Sequence, residues 1–142
     1  MRRALITGIG GQDGSYLAEL LLTRDYAVYG LVRPGATPYP NLAQIRDRIE
    51  LVEADLLDQR SLADALAAAS PQEVYSLASP SFVPASWDRP VETAGFAAVG
   101  ATSLLEAIRS VDSSIRFYQA SSSEIFGSRA RAPKRRRRRS RR

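Results

Sequence analysis

The chemistry of this chain begins in Thr7-Gly8-Ile9-Gly10-Gly11-Gln12-Asp13-Gly14-Ser15. Gly8, Gly11 and Gly14 stand three residues apart, after the apolar run Ala4-Leu5-Ile6 and ahead of an amphipathic stretch. A strand, a tight glycine turn and a helix N-terminus in this order form a cradle for a pyrophosphate, because the first N–H groups of a helix have no partner inside it. Gly8 allows the turn, Gly11 admits the phosphates close to the backbone, and Gly14 lets the helix pack on the strand. Gln12 and Asp13, between those glycines, join them as candidate dinucleotide contacts. A second cluster of reactive types is Ser121-Ser122-Ser123-Glu124, three hydroxyls and a carboxylate in succession. The chain has no histidine and no cysteine. Disulfides, thiolate metal sites and imidazole bases are therefore excluded, and proton transfer falls to hydroxyls, carboxylates or a cofactor.

These groups need elements to hold them. Apolar periodicity predicts strands over 3–7, 27–32, 49–53, 73–77 and 115–120. Helices are expected over 14–24, with Tyr16, Leu17, Leu20 and Leu21 inward, and over 61–69, capped by Ser61, with Leu62, Ala65 and Leu66 inward. A longer helix is expected over 91–109, with Phe96, Val99, Leu104, Leu105 and Ile108 on its apolar side. A short helix is expected over 42–48. Strands alternating with helices imply an α/β fold, a doubly wound parallel sheet of Rossmann type, whose ligands sit at the carboxyl ends of the strands. At those ends stand Thr7, Arg33, Asp55, Ser76 and Ser79. Leu56 follows the third strand, and Leu77 and Ala78 close the fourth, so these three also count as cofactor contacts.

The end of the second strand discriminates between dinucleotides. An NAD-selective site places an acid there, about 20 residues after the glycines, to bind the ribose 2′-hydroxyl. This chain has Gly30-Leu31-Val32-Arg33. A guanidinium at that point matches a 2′-phosphate, so NADP is the expected cofactor. Asp55 is expected beside the adenine.

With these residues in view, the chain resembles the extended short-chain dehydrogenases/reductases, and within them the GDP-mannose 4,6-dehydratases. The resemblance rests on Thr7–Glu19 and on Tyr118-Gln119-Ala120-Ser121-Ser122-Ser123-Glu124-Ile125-Phe126-Gly127, and more weakly on Glu73–Ala78 and on Val99-Gly100 with Leu104–Ala107. It covers residues 1–127, about the first third of a full-length family member. It implies a lyase acting on GDP-mannose in nucleotide-sugar metabolism, the route to GDP-fucose. NADP+ takes a hydride from C4, water leaves across C5 and C6, and the hydride returns to C6. Carried over by position, Ser122 is the hydroxyl that hydrogen-bonds the C4 oxygen, and Glu124 is the acid/base for C5 and C6. The family commonly forms dimers or tetramers. It also uses a Tyr-x-x-x-Lys pair downstream of Gly127. Here no tyrosine follows Tyr118, and Lys134, the only lysine, has no tyrosine four residues before it. The chain as written is therefore expected to be inactive as a dehydratase.

The net charge of +5 hides two parts. Residues 1–128 carry a net −5, while residues 129–142 carry nine Arg, one Lys and no acid. The organisation expected is an incomplete NADP-binding domain over 1–127 and a disordered arginine-rich tail over 128–142, the tail read as an aberrant continuation of the coding frame. An alternative is a non-catalytic NADP-binding module whose tail binds nucleic acid through phosphates. A further alternative is another nucleotide-sugar epimerase or dehydratase. No apolar stretch is judged long enough to span a bilayer and no signal peptide is read, so a cytoplasmic location without membrane association is expected.

Overall fold

A computed structural model describes residues 1–36, 38–79 and 83–122. Five strands lie parallel in the order β3-β2-β1-β4-β5. They are β1 (Arg2–Thr7), β2 (Tyr26–Val32), β3 (Ile49–Glu53), β4 (Glu73–Ser76) and β5 (Arg116–Gln119). Central β1 pairs with β2 from Arg2↔Tyr26 to Thr7↔Leu31, and with β4 from Ala4↔Glu73 to Thr7↔Ser76. It is covered on both faces, and Ala4, Leu5 and Ile6 have no exposed surface. That continuous burial is why β1 reads as an unbroken apolar run. Ala4 and Ile6 face a core shared with Ala18 and Leu21 of α1 (Gln12–Leu22). Leu5 and Val74 face the opposite core, shared with Leu62 and Leu66 of α2 (Gln59–Ala69) and Leu104 and Ile108 of α5 (Ala101–Val111). Helices thus cover both faces of a Rossmann-type sheet. The strand order reverses between β1 and β4, and there the connections leave a crevice at the carboxyl ends.

The structure corrects several local expectations. α1 turns Gly14, Ser15, Ala18 and Leu21 inward, leaving Tyr16 and Leu20 exposed. The reason is the approach at Gly14, which fixes the rotation of the helix before its larger apolar residues can choose a side. α2 is capped by Asp58, whose side chain accepts from the N–H groups of Arg60 and Ser61. The Ser61 hydroxyl instead donates to the carbonyls of Asp55 and Asp58 and accepts from the Asp55 N–H. The stretch 42–48 forms no continuous helix. It holds two single 3-10 turns, Pro40–Leu42 and Arg46–Arg48, which seat Leu42 and Ile45 in the α1-side core.

Between β4 and β5 the chain forms α3 (Val83–Asp88), α4 (Pro90–Ala94), a π-helical segment (Gly95–Gly100) and α5. From Pro90 to Val111, α4, the π-helical segment and α5 run on as one helix of 22 residues, with mean hydropathy 1.2 over its most apolar 18 residues. Among the described residues this helix is, by length and composition, enough to cross a membrane. The expectation that no apolar stretch reaches that length is therefore corrected: residues 90–94 and 95–100 extend α5 in the N-terminal direction. Ser103, Leu104, Ala107 and Ile108 on it are buried, while Val99 and Leu105 are exposed.

At the amino ends of the strands, the buried Glu73 carboxylate accepts from the Tyr75 hydroxyl at 2.7 Å and from the Tyr26 hydroxyl at 3.4 Å, and pairs with Arg116. Burial, and then the bond to Glu73, push the Tyr75 phenol up to about 12.

Candidate functional site

The cradle is built almost entirely from backbone. Gly8 sits at φ +70°, the left-handed region that turns the chain out of β1. A Cβ there would also lie 2.8 Å from both the N and the Cα of Ala78. Gly8 is therefore needed twice, for the turn and for the approach of the chain leaving β4. The Gly11 N–H donates to the Gly8 carbonyl at 3.0 Å and closes the turn. A Cβ on Gly14 would fall 2.3 Å from that same carbonyl oxygen and 2.7 Å from Cα of Ile9. Gly11 differs, since a Cβ there meets only the Gly8 oxygen, at 3.3 Å. Its open side faces the crevice. Gly11 is also the N-cap of α1 and supplies no capping side chain. The first-turn N–H groups of α1 thus lack a side-chain partner, a donor set that fits an anion.

Thr7 holds the two sides of the crevice together. Fully buried at the end of β1, its hydroxyl oxygen accepts from the N–H groups of Leu77 and Ala78, each at 3.1 Å. This fixes Leu77-Ala78 against Gly8. Sequence reasoning marked Thr7 as a polar residue to inspect but not as the clamp between strands. A hydroxyl at the last position of a strand facing the next strand's exit was the signal.

The loop after β2 closes over the turn. Asn41 donates to the Gly10 carbonyl at 3.0 Å, and the Tyr39 ring packs where a Gly10 side chain would be, with its Cδ1 2.4 Å from an added Cβ. The Tyr39 hydroxyl is buried with no hydrogen-bond partner among the described residues. Burial raises the affinity of that phenol for its proton, Glu53 adds to the effect and Arg33 opposes it.

At the far end of the crevice stands Arg33, exposed, with its guanidinium carbon 5.1 Å from the centre of the Phe96 ring. Asp55 lies across from the glycine turn, half-buried, its Oδ1 accepting from the Leu57 N–H at 2.9 Å. The whole forms one cleft of about 820 Å³. Its walls include Gly8, Gly11, Gln12, Asp13 and Gly14 from the turn and α1. Arg33 comes from the end of β2, Asp55 and Leu56 follow β3, and Leu77 and Ala78 follow β4. Every residue singled out for cofactor contact therefore lines a single cavity, although the ten come from four separate connections. Phe96 and Tyr39, which also line it, were not singled out.

The two residues singled out for catalysis are placed differently. Ser122 is exposed beyond the carboxyl end of β5 and is not part of the cleft lining. It follows Ser121, a non-glycine residue at φ +60°. Glu124, like Ser123 and residues 125–142, lies outside the described residues. Among the described residues no group of three or more acids could hold a metal ion.

Comparison with known proteins places this geometry. The family profile described as GDP-mannose 4,6 dehydratase matches residues 5–139. The chain belongs to the GDP-mannose 4,6-dehydratase family. GDP-mannose 4,6 dehydratase of Drosophila melanogaster is 42% identical over 137 residues, covering 87% of this chain and 34% of that protein. GDP-mannose 4,6 dehydratase 2 of Arabidopsis thaliana is 46% identical over 138 residues, covering 88% and 37%. The chain thus spans about a third of the length of these relatives. Among solved structures, UDP-glucose 4-epimerase from Brucella ovis, in complex with NAD, superposes with a TM-score of 0.81 at 26% identity, covering 94% of this chain and 39% of that one.

Proposed function

We propose that this chain is the dinucleotide-binding part of a GDP-mannose 4,6-dehydratase, and that its cofactor is NADP. The observation that carries the reading is the single cleft in which an uncapped helix N-terminus, an open-sided Gly11 and the unpaired cation Arg33 face one cavity. The Gly8–Gly14 turn and the first N–H groups of α1 would hold the pyrophosphate. Asp55 and Leu56 would flank the adenosine, and Leu77 and Ala78 would wall the nicotinamide side. Arg33 would take the 2′-phosphate, because among the described residues no carboxylate pairs with it. The NAD bound by the Brucella ovis epimerase supports a nicotinamide dinucleotide. The choice of NADP rests on Arg33.

When bound, the cofactor supplies hydride acceptance and return at the sugar. This chain's own contribution to that chemistry is the Ser122 hydroxyl, held after the strained backbone of Ser121, and the Glu124 carboxylate, both assigned by family position. The substrate proposed is GDP-mannose, on the strength of the relatives' names.

The test is calorimetric titration of the full chain with NADP+ and with NAD+, alongside Arg33→Met. The expected result is tighter binding of NADP+ by at least tenfold, with the preference lost in Arg33→Met. Preference for NAD+, or an Arg33→Met chain that still favours NADP+, refutes the cofactor assignment.

A further inference from the structure

Phe96 belongs by sequence to the apolar side of a core helix, yet it is only half-buried and lies under Arg33. Its backbone is part of the π-helical segment Gly95–Gly100, a widened turn of the kind frequent at functional sites. One turn earlier, Glu92 also lines the cleft, but its carboxylate pairs with Arg89 at 3.5 Å. Among the described residues no carboxylate pairs with Arg33, and its guanidinium rests over the Phe96 ring.

From this arrangement we infer that Phe96 is a positioning residue that sets dinucleotide selectivity. Resting on the dinucleotide reading above, the inference assigns Phe96 the task of holding Arg33 where a ribose 2′-phosphate would arrive. A guanidinium held over an aromatic face by a cation–π contact spends no N–H donor on that contact, which leaves the donors for phosphate oxygens. An exposed arginine without that stack spreads over many rotamers and must be ordered when the anion binds. Phe96 also lines the cleft, so the part of the effect that runs through Arg33 is read as the difference between ligands with and without the 2′-phosphate.

The variants are Phe96→Leu, which keeps apolar volume but removes the ring, and Phe96→Trp, which keeps an aromatic face. Each is titrated as the full chain with NADP+ and NAD+, alone and in an Arg33→Met background. Phe96→Leu is expected to weaken NADP+ binding roughly two- to fivefold more than it weakens NAD+ binding. Phe96→Trp is expected to restore the preference, and Phe96→Leu to be silent once Arg33 is gone. Equal losses for both dinucleotides, as a damaged fold would give, overturn the inference, as does an unchanged preference in Phe96→Leu. A wild-type chain that does not prefer NADP+, or that binds neither dinucleotide, overturns the cofactor assignment and this inference with it.

Discussion

Replacing Gly14 by alanine puts a methyl carbon 2.3 Å from the Gly8 oxygen, 2.7 Å from Cα of Ile9 and 2.9 Å from the Gly8 carbonyl carbon. All three are backbone atoms, so no rotamer change relieves the contact. Ordinary contact begins at 3.4 Å, and the first turn of α1 must therefore back away by about 1 Å. Ala18 and Leu21, packed on the sheet from the same helix, would move with it. Overpacking of this kind costs about 1–3 kcal/mol, offset by up to ~1 kcal/mol from alanine's better helix propensity. The net expectation for Gly14→Ala is a loss of about 1–2 kcal/mol. Gly11→Ala is the control. Its added Cβ meets one atom at 3.3 Å, and its φ of −77° and ψ of 173° suit any residue. Stability should stay within about 1 kcal/mol, with lost unfolded-state entropy opposing a weaker N-cap. Yet the methyl projects where the phosphates would approach, so dinucleotide affinity should fall at least ~10-fold. Urea unfolding and calorimetric titration of both variants separate the two effects. A Gly11→Ala chain as destabilised as Gly14→Ala, or one that binds NADP+ like wild type, refutes the division of labour assigned to these glycines.

Two further outcomes follow from the side chains around the sheet. The Tyr75 phenol, raised from its ordinary value of 10 to about 12, must stay neutral in the folded chain, so its contribution to stability is complete below pH 10 and is lost as pH rises through 12. Urea unfolding between pH 9 and 12 should show that decline, and a Tyr75→Phe chain with the same slope would refute the assignment. Tyr39→Phe should stabilise the chain by about 1 kcal/mol, because it removes a buried hydroxyl that has no partner among the described residues; a lower Tm would show that this hydroxyl is satisfied.

β1 was legible because Ala4-Leu5-Ile6 is a short apolar run stopped at Thr7-Gly8, the signature of a parallel strand buried on both faces, whereas β4 (Glu73-Val74-Tyr75-Ser76) carries two buried polar residues. The glycine spacing made the cradle equally plain. Illegible were features decided by three-dimensional approach. The inward face of α1 follows from a clash at Gly14, not from where Tyr16 and Leu20 fall on a helical wheel. Asp58 rather than Ser61 caps α2 because both types can cap, and spacing alone does not rank them. Phe96 looks like core at its helical period, and only the π-helical segment brings it under an arginine 63 positions earlier in the chain.

The cleft owes its shape to where β1 ends more than to any one side chain that lines it. Register places Thr7 beside Leu31 on one side and Ser76 on the other, so all three chains leave the sheet at the same level. From there Gly8 and the Thr7 hydroxyl draw Leu77-Ala78 inward, while the chain beyond Leu31 runs on to Arg33. The glycine turn proposed to hold the pyrophosphate is therefore a consequence of closing the centre of the sheet. On the proposed reading selectivity is a separate layer at the rim, where exchanging Arg33 or Phe96 leaves the buried core residues in place. The same sheet superposes on a UDP-glucose epimerase at 26% identity, while the family match to the GDP-mannose dehydratases runs over residues 5–139.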